Sequence, residues 1–163
     1  MVHISSDNRN AAPMVDAATE DAVDDAILRQ FVGYHMRRAA NILQADLART
    51  LKEIDLRMIT MSVLVVIVDN PGLRQSQLAD ALAIERPNLV SILDELEERD
   101  LVSRTRVPTD RRAYALTPTQ AGEKLAAKAL ELTAEHEDRI LSQINLEERA
   151  QLVALMQRIV DGA

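Results

Sequence analysis

Two clusters of polar side chains have the composition expected of residues that contact nucleic acid. The first holds Arg86, Asn88 and Ser91. Arginine can form two hydrogen bonds with guanine and asparagine can form two with adenine, so these side chains are candidates for contacts with base edges. The second cluster has four arginines against the single acid Asp110 within residues 101–116: Arg104, Arg106, Arg111 and Arg112. A local charge of plus three in an acidic chain predicts contacts with phosphate groups.

The first cluster is positioned by two short amphipathic segments and the turn between them. Residues 75–82 have apolar side chains at the spacing that gives a helix one buried face: Leu78, Ala79 and Leu82. The chain restarts at Arg86 and Pro87, where proline suits the first turn of a helix because its missing N–H has no intrahelical partner. This second segment carries its own apolar stripe: Leu89, Leu93 and Leu96. Two such helices predict a helix-turn-helix, whose second helix enters the major groove of double-stranded DNA.

The second cluster lies in a predicted hairpin. Residues 101–106 and 113–117 alternate apolar and polar side chains around a charged tip. After a helix-turn-helix, such a hairpin forms a wing whose arginines hold phosphates or enter the minor groove. Three polar residues at the start of the first helix are also predicted to hold phosphates or sugars: Gln75, Ser76 and Gln77. The alternative is that a surface hairpin carries charges for solubility and to protect its edges.

A set of short motifs between residues 73 and 122 forms a specific pattern. The motifs are Gln77-Leu78-Ala79, Arg86-Pro87-Asn88-Leu89-Val90, Leu93-Asp94-Glu95-Leu96-Glu97-Glu98-Arg99, Leu101-Val102-Ser103-Arg104, Asp110-Arg111-Arg112 and Leu116-Thr117-Pro118-Thr119-Gln120-Ala121-Gly122. Together they resemble the winged helix-turn-helix of the multiple antibiotic resistance regulator (MarR) family. One departure is Asp100, because relatives usually carry glycine or asparagine at the end of the recognition helix.

Long helices are predicted on both sides of this region. Residues 1–20 lack periodicity and are predicted to form a mobile arm, and one helical segment follows from about Asp21 to Ile54, weakened locally at Gly33. A short, nearly wholly apolar helix is predicted at about residues 60–68.

The segment after the wing contains two predicted helix starts. Thr117-Pro118-Thr119-Gln120 predicts a helix capped by Thr117 and running to about Ile144. Asn145 and Glu148 predict a second start, followed by an apolar stripe: Leu152, Leu155, Met156, Ile159 and Val160.

The predicted fold is mainly α, an α+β winged helix-turn-helix with a two-stranded β wing and long terminal dimerisation helices. The expected divisions are a mobile arm (1–20), an N-terminal dimerisation helix (21–58), a DNA-binding lobe (59–117) and C-terminal dimerisation helices (118–163). Amphipathic helices at both ends must bury their apolar faces, and a two-fold homodimer is the ordinary solution. The resemblance implies an interface formed by the first, fifth and sixth helices. Two recognition helices about one DNA turn apart then predict a pseudo-palindromic operator.

The first predicted helix concentrates side chains that suit an aromatic ligand. The resemblance implies that phenolic or aromatic carboxylate ligands lodge between the dimer helices and the DNA-binding lobe, and that some relatives respond to coenzyme A (CoA) thioesters of hydroxycinnamates. The predicted ligand residues are Phe31, Tyr34, His35, Arg37, Arg38, Met58 and Met61. Tyr34 and His35 would hydrogen-bond a ring hydroxyl, and an arginine would hold a carboxylate or phosphate. Alternatively, Tyr34 lies in an interface and both arginines pair with acids of the partner chain.

The composition argues against catalysis. The chain of 163 residues has no cysteine, which excludes disulfides and thiolate metal sites. Its three histidines, His3, His35 and His136, share no metal-ligand spacing, and no nucleophile motif or phosphate-binding glycine loop occurs. We expect no catalytic residue, no metal and no cofactor. The longest apolar run, residues 63–68, is too short for a membrane span and no signal pattern occurs, so we expect a cytoplasmic protein.

These observations predict a ligand-responsive transcription regulator, expected to be a repressor that a small aromatic compound or its CoA thioester releases from DNA. The formal net charge of −7 supports an alternative, a winged-helix module that binds a protein partner instead of DNA. The two differ in their response to loss of a wing arginine. Only a DNA-binding wing should then show a flatter dependence of binding on salt.

Overall fold

The structure is a computed structural model that describes residues 24–107 and 110–162, without the side chains of residues 107–113. The chain divides into two compact units, residues 1–37 and residues 38–163. After a 3-10 turn at Leu28–Gln30, the helices are α1 (Val32–Lys52), α2 (Met58–Asp69), α3 (Gln75–Ala81), α4 (Arg86–Glu98), α5 (Gln120–Ile140) and α6 (Leu146–Asp161). The strands are β1 (Leu73–Arg74), β2 (Val102–Val107) and β3 (Asp110–Pro118). The fold is the mainly helical winged helix-turn-helix that the sequence predicts.

The core of the second unit lies between α2, α3, α4 and the sheet. α2 is apolar nearly all round, and Val63, Leu64 and Ile67 are fully buried. The predicted stripe of α4 packs against them: Leu89, Leu93 and Leu96. A smaller cluster joins α1 and α5 around Leu51 and Ala129. Because apolar contacts hold one face of α4, its polar face is left on the surface.

The two strands predicted for the wing pair as β2 and β3, and β1 adds a third strand to give an antiparallel sheet in the order β1-β3-β2. Leu73 of β1 pairs with Leu116 of β3, and Ser103 of β2 pairs with Thr117 of β3. A strand of two residues is too short to show the alternation by which strands are identified in a sequence. The extra strand ties the segment before α3 to the wing.

The first helix begins later than predicted. Ala26 and Ile27 form a turn that leads into the 3-10 turn, Phe31 is extended with φ −105° and ψ 128°, and α1 starts at Val32. The break therefore precedes Gly33, which lies inside α1. The predicted mobile arm, residues 1–20, lies outside the described residues.

The helix after the wing is capped by Thr119, not by Thr117 as predicted. Thr117 still belongs to β3, where its hydroxyl lies 2.7 Å from that of Ser103. Oγ1 of Thr119 accepts a hydrogen bond from the backbone N–H of Gly122 at 3.0 Å. The start predicted for α6 is confirmed, because the side chain of Asn145 accepts from the backbone N–H of Glu148 and the side chain of Glu148 accepts in return.

Two residues that join α4, β2 and α5 have special backbone requirements. Asp100, two residues after the end of α4, has φ 54° and lies in the left-handed region that glycine and asparagine adopt most readily. Gly122 lies directly against the backbone of Leu101, since a Cβ on residue 122 would be 2.0 Å from the carbonyl oxygen of Leu101. The downstream glycine of the motif is therefore a close packing point between α5 and the start of the wing.

Candidate nucleic-acid interface

The recognition helix presents a polar first two turns to solvent. A turn through Ala83, which has φ 50°, brings the chain from α3 into α4, and Pro87 lies in the first turn as predicted. Arg86, Asn88 and Ser91 are exposed, whereas Leu89 and Leu93 of the same helix are buried. These side chains are therefore available to base edges.

The start of α3 presents a second polar surface. Ser76 and Gln77 are exposed, and Gln75 is half-buried. Oε1 of Gln77 accepts a hydrogen bond from the backbone N–H of Arg74 at 2.8 Å, which leaves the amide NH2 of Gln77 for a ligand such as phosphate.

The two described wing arginines have different environments. Arg106 is exposed, with its guanidinium carbon 6.0 Å from the centre of the Tyr114 ring and Nε 3.4 Å from the Tyr114 hydroxyl. Arg104 instead points back to α4, where Nη2 donates to Asp94 at 2.7 Å and Nε donates to Glu97 at 2.8 Å. The side chains of Arg111 and Arg112, both in β3, lie outside the described residues.

The carboxylate contacts of Arg104 stabilise its charged form. The hydrogen bond to Glu97 is the main cause that raises the pKa of Arg104 above its ordinary value, with a further contribution from Asp94. A phosphate group would have to share this guanidinium with two carboxylates.

A cleft of about 530 Å³ opens between the second half of α1, the start of α2 and α4. The residues that give it its character are Gln44, Ala48, Lys52, Arg57, Met58 and Glu95. Gln44, Ala48 and Lys52 follow one another at intervals of four residues and therefore share one face of α1. Asp55 also lines the cleft, which therefore combines an apolar wall with two cations and two carboxylates. Its cations and apolar wall suit a small molecule that has a ring and an acidic group.

Four of the predicted ligand residues lie in the N-terminal unit, where they contact one another and nearby residues. The guanidinium of Arg37 lies 5.3 Å from the centre of the Tyr34 ring, and the Tyr34 hydroxyl donates a hydrogen bond to Asp25. Nε2 of His35 is 2.8 Å from the backbone carbonyl oxygen of Arg29. The fourth predicted residue, Phe31, is exposed.

The other predicted ligand residues lie in the second unit. Met58 lines the cleft, and its contact with a ligand stays a prediction. Met61 packs against the smaller core cluster, where its sulfur lies 3.6 Å from the Thr133 hydroxyl. Arg38 is an exposed residue of α1.

Sequence reasoning did not single out the five polar residues of the cleft: Gln44, Lys52, Asp55, Arg57 and Glu95. The interval of eight residues between Gln44 and Lys52 was a usable signal, because it places both on one face of a helix. The participation of Arg57 and Glu95 was not visible, since they lie 38 residues apart in the chain.

A polar cluster around the buried His136 joins α1 to α5. His136 is 2% exposed, and its Nδ1 lies 2.9 Å from Oδ2 of Asp46. Arg139 and Arg49 also donate to this carboxylate, at 2.6 Å and 2.5 Å. Hydrogen bonds from Arg49, Arg139 and His136 hold the pKa of the Asp46 carboxyl well below its usual range.

Within the described residues, no group of three or more histidine, aspartate or glutamate side chains is arranged to hold a metal ion. No helix in that part of the chain combines the length and hydrophobicity that crossing a bilayer requires.

The chain is similar to known transcription regulators. A sequence profile of the MarR family matches residues 54–113. A protein of Thauera aromatica assigned to transcriptional regulation of the hcr operon is 32% identical over 129 residues, which cover 78% of each chain. The transcriptional repressor CouR, solved in complex with a 23-mer DNA duplex, is 34% identical in sequence to this chain. The two structures superpose with a TM-score of 0.81 over 85% of this chain and 99% of CouR. CouR bound to p-coumaroyl-CoA is 32% identical, with a TM-score of 0.76, over 85% of this chain and 98% of CouR. On this identity, extended over most of both chains, the protein belongs to the MarR family of winged helix-turn-helix transcription regulators, which are not enzymes.

Proposed function

We propose that this chain is a transcriptional repressor that binds a pseudo-palindromic operator and leaves it when an aromatic acid or its CoA thioester binds. The observation that carries the proposal is the two-faced α4, which is buried along its apolar stripe and exposes Arg86, Asn88 and Ser91. Two structures of the relative CouR support the proposal. CouR bound to a DNA duplex supports DNA binding, and CouR bound to p-coumaroyl-CoA supports binding of a CoA thioester.

In the proposed complex, the two polar surfaces have separate roles. Arg86, Asn88 and Ser91 contact base edges in the major groove and give sequence preference. The remaining candidates hold phosphates or sugars, or read the width of the minor groove: Gln75, Ser76, Gln77, Arg106, Arg111 and Arg112. Of these, Arg106 is the described wing arginine without a carboxylate partner among the described hydrogen bonds and ion pairs.

The cleft beside Met58 supports binding of an effector with an aromatic part and an anionic part. Lys52 and Arg57 supply positive charge there, and Ala48 and Met58 supply apolar surface. An aromatic carboxylate, or a thioester with the phosphates of CoA, has this combination of groups. The predicted contacts of Phe31, Tyr34, His35 and Arg37 with the effector stay predictions.

A homodimer supports this reading because α6 has no described partner for its apolar stripe. Leu155 and Ile159 are each 53% exposed, and Val160 is 75% exposed. Exposed apolar surface along a whole helix is unfavourable in water and typical of a protein interface. A second copy of the chain offers the same surface and can bury both.

Fluorescence anisotropy with a labelled duplex from the region upstream of the encoding gene tests the proposal. We expect tight, salt-sensitive binding, and release by p-coumaroyl-CoA or by p-coumaric acid, with an unrelated duplex as control. Arg86→Ala should weaken binding by about 1–3 kcal/mol and relax the preference at one base pair. Equal affinity for the two duplexes at low salt would contradict the proposal and favour the protein-interaction module.

A further inference from the structure

An ion pair across the cleft connects the start of α2 to the recognition helix. Arg57, the residue before α2, donates from Nη2 to Oε2 of Glu95 in the third turn of α4. Both side chains line the cleft. A molecule that enters the cleft therefore meets a contact that joins α4 to the start of α2.

A second contact gives Glu95 an alternative partner. Nη1 of Arg99 donates to the backbone carbonyl of Asp55 at 2.7 Å, and the same atom lies 3.8 Å from Oε1 of Glu95. If Arg57 turned away, Glu95 would still have a cation one helical turn along α4. Opening of the Arg57–Glu95 pair therefore does not leave the carboxylate without a partner.

The exposure of the pair makes it exchangeable. The side chain of Arg57 is 65% exposed and that of Glu95 is 34% exposed. Pairs this accessible contribute up to about fivefold to an equilibrium constant, because water and salt compete for both charges. A ligand that brings its own carboxylate or phosphate can replace Glu95 on Arg57.

We propose that the Arg57–Glu95 pair is the switch through which an anionic effector controls the recognition helix. This inference rests on the proposed function. With the pair closed, it adds to the core packing and to the Arg99–Asp55 hydrogen bond that hold α4 in its DNA-binding position. An acidic group of the effector binds Arg57, supported by Lys52, so that Glu95 turns to Arg99 and α4 loses this constraint. Because binding free energies are linked, opening the pair weakens DNA binding and strengthens effector binding.

The test uses Glu95→Gln with Glu98→Gln as its matched control. Both changes remove one negative charge from α4, and Glu98 is an exposed residue that does not line the cleft. Removal of a carboxylate near DNA should by itself strengthen binding slightly, which is what we expect of Glu98→Gln. Glu95→Gln should instead weaken binding to the operator about fivefold without effector. Calorimetry should show that Glu95→Gln binds p-coumaroyl-CoA more tightly than wild type, because Arg57 is no longer engaged.

Arg57→Gln tests the same pair from its other side. It should weaken DNA binding to a similar extent, but it should also weaken binding of p-coumaroyl-CoA, since it removes the partner of the anionic group. The double variant with Glu95→Gln should bind DNA no more weakly than either single variant, because the same contact is lost in all three. Thermal unfolding of each variant checks that it is folded.

The outcomes separate this inference from the proposed function. Wild type that does not bind the operator, or is not released by p-coumaroyl-CoA, overturns the proposed function and the switch with it. Wild type that responds, with Glu95→Gln and Glu98→Gln indistinguishable in DNA and effector binding, overturns the switch alone. Additive losses in the double variant also count against it.

Discussion

Arg104 of the wing and Glu97 of the recognition helix form a hydrogen-bonded ion pair, with Nε of Arg104 2.8 Å from Oε2 of Glu97. The Arg104 side chain is 21% exposed and its Nη2 also bonds Asp94. We infer that Arg104 mainly positions β2 on α4, whereas Arg106, two residues further along the strand, is available to phosphate.

Substitution of these two arginines should therefore have opposite consequences. Arg104→Ala should lower the free energy of unfolding by about 1 kcal/mol, because two carboxylates lose a partly buried partner, and should leave the salt dependence of DNA binding nearly unchanged. Arg106→Ala should change stability by less than about 0.5 kcal/mol and flatten the salt slope by about one unit. Denaturant titrations and anisotropy over a salt series measure both quantities. A flatter slope for Arg104→Ala would show that Arg104 contacts phosphate.

Gly122→Ala should destabilise the protein. The new Cβ would lie 2.0 Å from the carbonyl oxygen of Leu101, and a backbone atom cannot move aside as a flexible side chain can. We expect a loss of about 1–3 kcal/mol in the free energy of unfolding, measured by denaturant titration. The neighbouring exposed Ala121 provides the control, since Ala121→Gly should cost less than about 1 kcal/mol. If both changes lowered the free energy of unfolding equally, the close approach of residue 122 to Leu101 would not contribute to stability.

Asp100→Gly should stabilise the protein slightly. Asp100 has φ 54°, which is unfavourable for a residue with a Cβ and accessible to glycine. The backbone carbonyl of Asp100, which accepts from the Thr119 hydroxyl at 2.6 Å, is retained in the variant. We expect a gain of about 0.5 kcal/mol in a thermal or denaturant unfolding measurement. Lys124→Gly, in an exposed turn of α5, should lose stability by about 1 kcal/mol, so the two glycine substitutions should differ in sign.

The DNA-reading elements could be predicted closely because their signals are local. Pro87 marks the first turn of α4, and the spacing of Leu89, Leu93 and Leu96 identifies its buried face within one short segment. The N-cap of α6 at Asn145 was visible for the same reason. By contrast, the cap after the wing was misplaced by two residues, since Thr117 and Thr119 both fit the pattern and only strand pairing distinguishes them.

Contacts between distant segments could not be predicted from the sequence. The charges of Arg104 and Glu97 are visible there, but their pairing depends on how β2 passes α4. The composition of the cleft likewise depends on α1 and α4 facing one another at Lys52 and Glu95. Side chains that act together across a fold carry no local signal of doing so.

The cluster around Asp46 should make stability depend on acid pH. Its hydrogen bonds lower the pKa of the folded state below the unfolded value of about 3.9, so the unfolded chain binds more protons as pH falls. The contribution of Asp46 is therefore complete above about pH 5 and is lost as pH falls through and below 4. Asp46→Asn should be less stable than wild type at pH 7, and this difference should shrink toward pH 3. Unfolding titrations at both pH values measure it, and a constant difference would contradict the assigned role of the carboxylate.

The exposed stripe of α6 should be the part of the chain most sensitive to added charge. Leu155 is 53% exposed here, and we expect it to be buried against a second copy. Leu155→Glu would place a carboxylate in that apolar interface, so the dimer dissociation constant should rise by at least about 100-fold, on the order of 3 kcal/mol. Light scattering coupled to gel filtration should give twice the chain mass of 18.1 kDa for wild type and a concentration-dependent shift toward one chain for the variant.

Gln157→Glu adds the same charge about 160° away around the helix and should leave the mass unchanged. A wild type that elutes as a single chain at micromolar concentration would refute the proposed dimer. A Leu155→Glu variant that remains dimeric would instead place the interface elsewhere on the chain.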